Sequence, residues 1–468
     1  MRKTTRFAYS MARHALLALV FASGLTRAGA AETGGMAEFR KMKVGFFAHY
    51  VWAGDGGGLT IDRNGKSPAN MDDFANAFDA KGFADDLAAW QVEYVVFTAW
   101  HANINPLFPS ETMKKWGLPK HACKRDLLRD VIEACKAKGI KVILYTHPRD
   151  GHDLRGEDQT KTGWAPGNGA DPDWAKFDFN KWNDFTNDLY AELTDRYGKD
   201  IIGVYLDEGS SAGDSHLVVN YPRLRQTVKR RNAQLIMVQN YYGTLYSCDV
   251  GDKEYHHWQE FASRDGGAWP ANRMPVGTCF ATTWWAARPA GTNTVVFSAA
   301  DMFRYTVLQA GVNTDGGGVQ WAAGPYAGGG WETGVDETMR KVGSYIKPVA
   351  ESIKGVYASA AYPTQTGAAL NSKAWGVRSV AWGVATDAAD GSATYLHVLT
   401  PPKSKTLRVG MPANGAVFSK ASLLTTGREI SLQSDPAGYR VALPENVAWD
   451  ALDTVIRLQT GTKKPERR

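Results

Sequence analysis

Ile201-Ile202-Gly203-Val204-Tyr205-Leu206-Asp207-Glu208-Gly209 is the stretch whose reading decides the fold. A run of apolar and β-branched residues ends abruptly in two carboxylates and a glycine. A buried parallel strand reads this way where its C-terminal end opens onto a pocket. In a closed (β/α) barrel, catalytic side chains sit at such strand ends. A carboxylate held there is placed to act as a nucleophile or a base. The competing reading is an aspartate that caps the following turn.

Working outward, the same texture repeats. Val44 to His49, Tyr94 to Thr98, Lys141 to Thr146 and Leu235 to Asn240 read as further strands. Between them, Phe83, Leu87 and Trp90 mark one helix face, and Leu127, Leu128, Val131, Ile132 and Cys135 another. Trp182, Phe185, Leu189 and Leu193 mark a third, which stops at Gly198. This alternation predicts an α/β fold with a parallel sheet covered on both faces, and so many units favour a closed (β/α)8, TIM-like barrel. After residue 357 the helical period disappears. Trp375 to Trp382, Thr394 to Leu399, Thr406 to Val409 and Val455 to Leu458 read as short strands between turns, an antiparallel β-sandwich. The expected organisation is a barrel over residues 31–357, a sandwich over 358–460 and a basic tail over 461–468.

Residues 1–30 read as a signal peptide. Arg2, Lys3, Arg6 and Arg13 form a basic start, Ala15 to Leu25 a short apolar core, and Ala28-Gly29-Ala30 a cleavage site. The apolar run is well short of the roughly 20 residues that span a bilayer. The chain is therefore expected to be exported, to periplasm or medium, with no membrane span after cleavage. Without these thirty residues the net charge falls from +6 to +1. So small an excess gives no reason to expect a nucleic-acid partner. Cys123, Cys135, Cys248 and Cys279 fit no zinc spacing and could pair in three ways; Cys135, in its helical repeat, reads as a small core hydrophobe. The glycine-rich stretch from Asp315 to Gly330 lacks the Gly-Lys-Ser/Thr ending of a phosphate loop. No cofactor sequence pattern appears, and the adjacent His256-His257 do not suggest an orderly metal site.

The strand ends carry the chemistry. They deliver His49, Trp100-His101, His147, Asp207-Glu208 and Asn240 to one barrel rim. Sixteen tryptophans accompany them, among them Trp52, Trp100, Trp284-Trp285, Trp321 and Trp331. Most tryptophans belong to cores. Some on this rim would stack on sugar C–H faces while His, Asn and Asp bond the hydroxyls.

Several stretches, taken in order, are similar to the α-L-fucosidase family of retaining glycoside hydrolases, from about residue 40 to 459. Lys43 to Tyr50 resembles its first-strand motif. Phe78-Asp79-Ala80, Tyr94 to His101 and Leu107-Phe108-Pro109-Ser110 resemble its second unit. Lys124 to Leu127, Gly139 to Val142, Tyr145 and Tyr205-Leu206-Asp207 continue the likeness. Ala310 to Asn313, Ala323-Gly324-Pro325, Val342-Gly343 and Ile353 to Tyr357 resemble the stretch that closes the barrel; His397-Val398-Leu399 and Asp453 to Ile456 resemble its C-terminal sheet region. The pattern departs where the family has two adjacent histidines followed by Asp-Gly-Phe, since this chain reads His101-Ala102-Asn103-Ile104-Asn105. The first-strand histidine is followed by Tyr50-Val51 in place of Trp-Gly, and Trp52 with the Gly54 to Gly58 loop stands in for a Glu-Trp pair. A glutamate of the family aligns near Gly277.

The resemblance implies an exo-acting glycosidase that removes fucose or a related deoxy or neutral sugar from an oligosaccharide or glycoconjugate. It implies Asp207 as the nucleophile. A retaining enzyme needs a second carboxyl group about 5 Å away. Three glutamates compete for that place: Glu254, in a region resembling the family's acidic loop; Glu260, among aromatics; and Glu208, which should face away from Asp207. Glu254 is the preferred acid/base. His49, Trp52, Trp100, His101 and Tyr205 are the expected sugar-binding residues. A carbohydrate-binding barrel without an acid, or an inverting hydrolase with a wider carboxyl separation, are the alternatives.

Overall fold

The computed structural model describes residues 34–52, 59–149, 151, 154–168, 171–207, 217–240, 248–255, 276–282, 285–292, 295–363 and 382–461. The expected signal peptide, residues 54–58, Glu208, His256-His257, Glu260 and Trp284 lie outside them. So does the strand expected at Trp375 to Trp382, save for Trp382.

Eight parallel strands close into a barrel: β1 Val44–Ala48, β2 Tyr94–Thr98, β3 Lys141–Thr146, β4 Gly203–Leu206, β5 Ile236–Asn240, β6 Val250–Tyr255, β7 Val276–Phe280 and β8 Val319–Ala322. Each strand pairs with its sequence neighbours, and β8 returns to β1 through Val44 opposite Val319. Helices α1 Ala80–Ala89, α2 Leu127–Ala137, α3 Phe179–Tyr197, α4 Tyr221–Lys229, α5 Ala299–Val312 and α6 Val335–Ile346 belong to the connections. Five of them start at a side-chain cap: Asp79, Asp126, Asp178, Asn220 and Ser298 each accept a hydrogen bond from the backbone N–H three residues on. Among the described residues, no helix is long and apolar enough to cross a membrane.

Two apolar layers result. Outward-facing strand residues such as Phe46, Phe97 and Val204 join the helix faces. Inward-facing ones, including Phe47, Tyr145, Tyr205, Val238 and Phe280, fill the barrel, with Phe39 and Met42 in the same cluster. The interior is filled so tightly that some positions admit no side chain. A Cβ on Gly203 would lie 2.4 Å from Ile236 Cγ1 and 2.6 Å from the Ile236 carbonyl oxygen.

Beyond the barrel, eight antiparallel strands form one continuous sheet: β9 Val356–Ala358, β10 Gly383–Ala388, β11 Ala393–Val398, β12 Thr406–Val409, β13 Phe418–Leu423, β14 Glu429–Asp435, β15 Gly438–Ala442 and β16 Thr454–Thr460. Their order is β9-β10-β11-β16-β13-β14-β15-β12. Leu396, Leu407, Phe418, Val441 and Ile456 share a single core, so the expected sandwich is one sheet curled over itself. Arg304 on α5 ties it to the barrel by donating to the carbonyls of Leu399, Ala451 and Leu452. The buried His397 ring lies between Asp453 Oδ2 at 2.7 Å and the Ser352 carbonyl at 3.2 Å. All four cysteines are free thiols.

The crowding at Gly203 yields a direct check. Gly203→Ala should cost about 1–3 kcal/mol, the usual penalty for overpacking, and should lower the chemical denaturation midpoint. An unchanged midpoint would mean the barrel interior has slack there.

Candidate active site

Strand periodicity builds the site. Side chains two residues apart on a strand share a face. One step of two beyond the interior residues Phe47, Tyr145, Tyr205 and Val238 reaches His49, His147, Asp207 and Asn240. On β6, Val250 is followed at the same interval by Asp252 and Glu254. Four strand ends and β6 therefore converge because their last inward position is polar.

Asp207 is the centre of this arrangement. Its Oδ2 accepts from the Tyr145 hydroxyl, and its Oδ1 accepts from Asn240 Nδ2 at 2.7 Å. The same Asn240 nitrogen donates to Glu254 Oε2 at 3.2 Å. One amide thus bridges two carboxylates, whose bonded oxygens lie within about 6 Å of each other. Burial pushes the Asp207 pKa up, but His147, the bonds from Tyr145 and Asn240, and His101 outweigh it. The net shift is below the usual carboxylate value, and Asp207 is ionised at neutral pH.

His49 has the opposite character. Burial, with His101 and His147 adding to it, holds its pKa well below 6.5 against the pull of Asp207. Its ring is neutral. Thr98 Oγ1 donates to the Ala48 carbonyl, so His49 Nδ1, 3.1 Å from that oxygen, is the donor. Nε2 is then the acceptor. Trp285 packs 4.2 Å from the His49 ring centre and stacks on His101 at 5.6 Å. Tyr145 stacks on Tyr205 at 5.5 Å. The narrow pocket here, of about 20 Å³, is lined by Phe47, His49, Tyr205, Asp207, Asn240, Glu254, Thr278, Phe280 and Trp285. That is room for about one water molecule.

Of the residues expected from sequence, Asp207, Glu254, His49 and Tyr205 line this pocket, and His101 stacks beside it. Trp100 does not: it is buried against Tyr190 in the helix layer, because β2 ends at Thr98 and the chain turns. Trp52 does not line it either. Its indole donates to the Pro68 carbonyl, and its own carbonyl accepts from Asn103 and Asn105. Between those asparagines Ile104 adopts φ 50°, a left-handed conformation that β-branched residues rarely take. Its N–H closes a turn onto the His101 carbonyl at 2.8 Å, and its side chain is buried in the layer between strands and helices. Trp321 and Trp331 are core residues. Phe280 and the Tyr145 hydroxyl escaped the sequence reading, and Trp285 was named only among the tryptophans near the rim. Tyr145 and Phe280 sit in apolar runs that read as core, and only the Trp284-Trp285 pair gave a signal.

Three groups able to ligate a metal also converge. Ligand atoms of His101, His147 and Asp207 all lie within 4.8 Å of one another. Linear spacing does not reveal this, since the three come from different strands.

The Alpha-L-fucosidase family profile matches residues 69–348. No curated protein matches the chain by sequence. Among solved structures it is similar to α-L-fucosidase isoenzyme 1 from Paenibacillus thiaminolyticus, at 18% identity over 91% of this chain and 99% of that one, TM-score 0.62. It is similar to a GH29 α-L-fucosidase from Bacteroides thetaiotaomicron, trapped as a covalent intermediate with 2-fluoro-fucosyl fluoride. There identity is 17% over 93% of this chain and 99% of that one, TM-score 0.63. A Thermotoga maritima α-fucosidase in complex with a mechanism-based inhibitor matches at 14% identity over 91% and 96%, TM-score 0.59. At these identities the structures share the fold.

The electrostatics at Asp207 can be tested by titration. Tyr145→Phe and Asn240→Ala each remove a hydrogen bond to the ionised form, so each should raise the Asp207 pKa. Carbon-13 NMR of aspartate-labelled protein should show its midpoint moving to higher pH. A midpoint that stays put in both variants would contradict the assignment.

Proposed function

The chain belongs to the α-L-fucosidase family, and we propose on that premise that it is an exported, retaining exo-glycosidase acting on terminal α-L-fucose or a closely related deoxy sugar. The observation that carries the reading is the Asn240 bridge. With the bonded carboxylate oxygens within about 6 Å, the pair suits retention, which uses a separation of about 5–5.5 Å, better than inversion, at about 6.5–9.5 Å. A barrel that had lost its acid would leave Asp207 alone on the rim. Glu254 across Asn240 argues against that binding-only alternative.

In the proposed mechanism an Asp207 oxygen attacks the anomeric carbon as the bond to the leaving oxygen breaks. Glu254 gives that oxygen its proton. Because Glu254 Oε2 accepts from Asn240, the transferable proton rides on Oε1. In the second step Glu254 takes a proton from water, the water oxygen attacks the anomeric carbon, and Asp207 is released as carboxylate. The lowered pKa of Asp207 suits a nucleophile that must be ionised. The neutral His49 offers Nε2 to a sugar hydroxyl, and the apolar faces of Phe47, Phe280 and Trp285 suit the methyl group of a 6-deoxy sugar. Export is supported by the basic, apolar and small-residue order of residues 1–30. The Bacteroides thetaiotaomicron relative trapped as a covalent intermediate supports the two-step route.

Asp207→Ala should abolish hydrolysis of aryl α-L-fucosides, and azide should restore part of it as a fucosyl azide. Glu254→Gln should slow 4-methoxyphenyl fucoside by roughly 10²–10⁴-fold, the scale of a lost general acid. It should affect 2,4-dinitrophenyl fucoside far less, because that leaving group needs no proton. Equal losses on both substrates would remove Glu254 from the acid role. Unimpaired Asp207→Ala activity would overturn the mechanism.

A further inference from the structure

We propose that His101, His147 and Asp207 form a binding site for a first-row divalent cation of zinc type. Their ligand atoms already lie within 4.8 Å of one another. A tetrahedral zinc site, with metal–ligand distances of about 2.0–2.2 Å, places its ligand atoms roughly 3.4 Å apart. Small side-chain rotations close that difference.

The scaffold is rigid. Thr98 pairs with Tyr145 and Thr146 with Leu206, so the three groups stand on adjacent ends of β2, β3 and β4. Two imidazoles and one carboxylate suit zinc, copper, nickel or iron and disfavour magnesium and calcium. The supporting contacts of a metal centre are present as well. Tyr145 and Asn240 orient the Asp207 carboxylate from either side, as outer partners do for metal ligands. His147 is 2% exposed, and its Nδ1 has no hydrogen-bond partner among the described residues. Coordination at this ring therefore breaks no bond made by Nδ1. Three protein ligands leave a position open toward the pocket. Asp207 cannot both hold an ion and attack an anomeric carbon, so under the glycosidase reading the ion is an inhibitor. Binding itself does not rest on that reading.

The test is calorimetric titration of zinc into EDTA-dialysed, full-length protein at neutral pH. The wild type should bind one ion, and cobalt should give visible absorption bands at the same stoichiometry. His101→Ala and His147→Ala should each weaken binding by more than the roughly 10–100-fold that outer-partner changes cost. His147→Gln replaces the alanine variant if the latter unfolds. No saturable single-ion binding by the wild type overturns the proposal. So does wild-type affinity in folded variants of both histidines. Because neither readout involves turnover, failure here leaves the glycosidase reading standing, and the reverse holds too.

Discussion

Closure of eight parallel strands is the constraint on which everything else depends. Once β8 pairs with β1, every second residue of each strand must face a crowded interior. The lower positions are filled by Phe47, Tyr145, Tyr205 and Phe280. The next position up faces a space too wide to fill and too enclosed to be fully wet. Polar side chains stand there, and Asn240 joins Asp207 and Glu254 with the two hydrogens of one amide. The carboxylate pair is thus placed by the barrel strands that carry it.

The same logic runs below the pocket. Asp252, fully buried one step beneath Glu254, accepts from Thr278 Oγ1 at 2.6 Å. Burial together with Asp252, Asp207 and Glu254 pushes the Tyr205 phenol well above its usual pKa. The Tyr205 phenol therefore stays neutral beneath an anionic centre, while His49, neutral for a different reason, flanks it. Negative charge is concentrated on Asp207, and His101 and His147, which with Tyr145 and Asn240 lower its pKa, are the two imidazoles of the proposed cation cluster.

Much of this was legible in the sequence, and the limits have physical causes. Strands β1 to β5 read clearly because each is an apolar run that ends in a polar residue. The β6 run Val250-Gly251-Asp252-Lys253-Glu254-Tyr255 carries three charged residues. It reads as a loop until the barrel supplies Thr278 and Asn240 as partners. β8 has four residues inside a glycine-rich stretch, where Gly318 at φ 58° brings the chain close to the Lys43 carbonyl. Trp100 was misplaced because alternation was carried past the end of β2. The hydroxyl of Tyr145 was missed because a tyrosine inside Val-Ile-Leu-Tyr-Thr reads as core; its ring is core, but its oxygen holds the carboxylate.

The central claim is that Asp207 becomes covalently bonded to sugar. The most direct measurement is intact-protein mass spectrometry after incubation with 2-deoxy-2-fluoro-fucosyl fluoride, followed by peptide mapping of the adduct. The account predicts one added fluorofucosyl unit, carried by the peptide that contains Asp207. A stable adduct on any other residue, or fluoride release with no adduct at all, would contradict it.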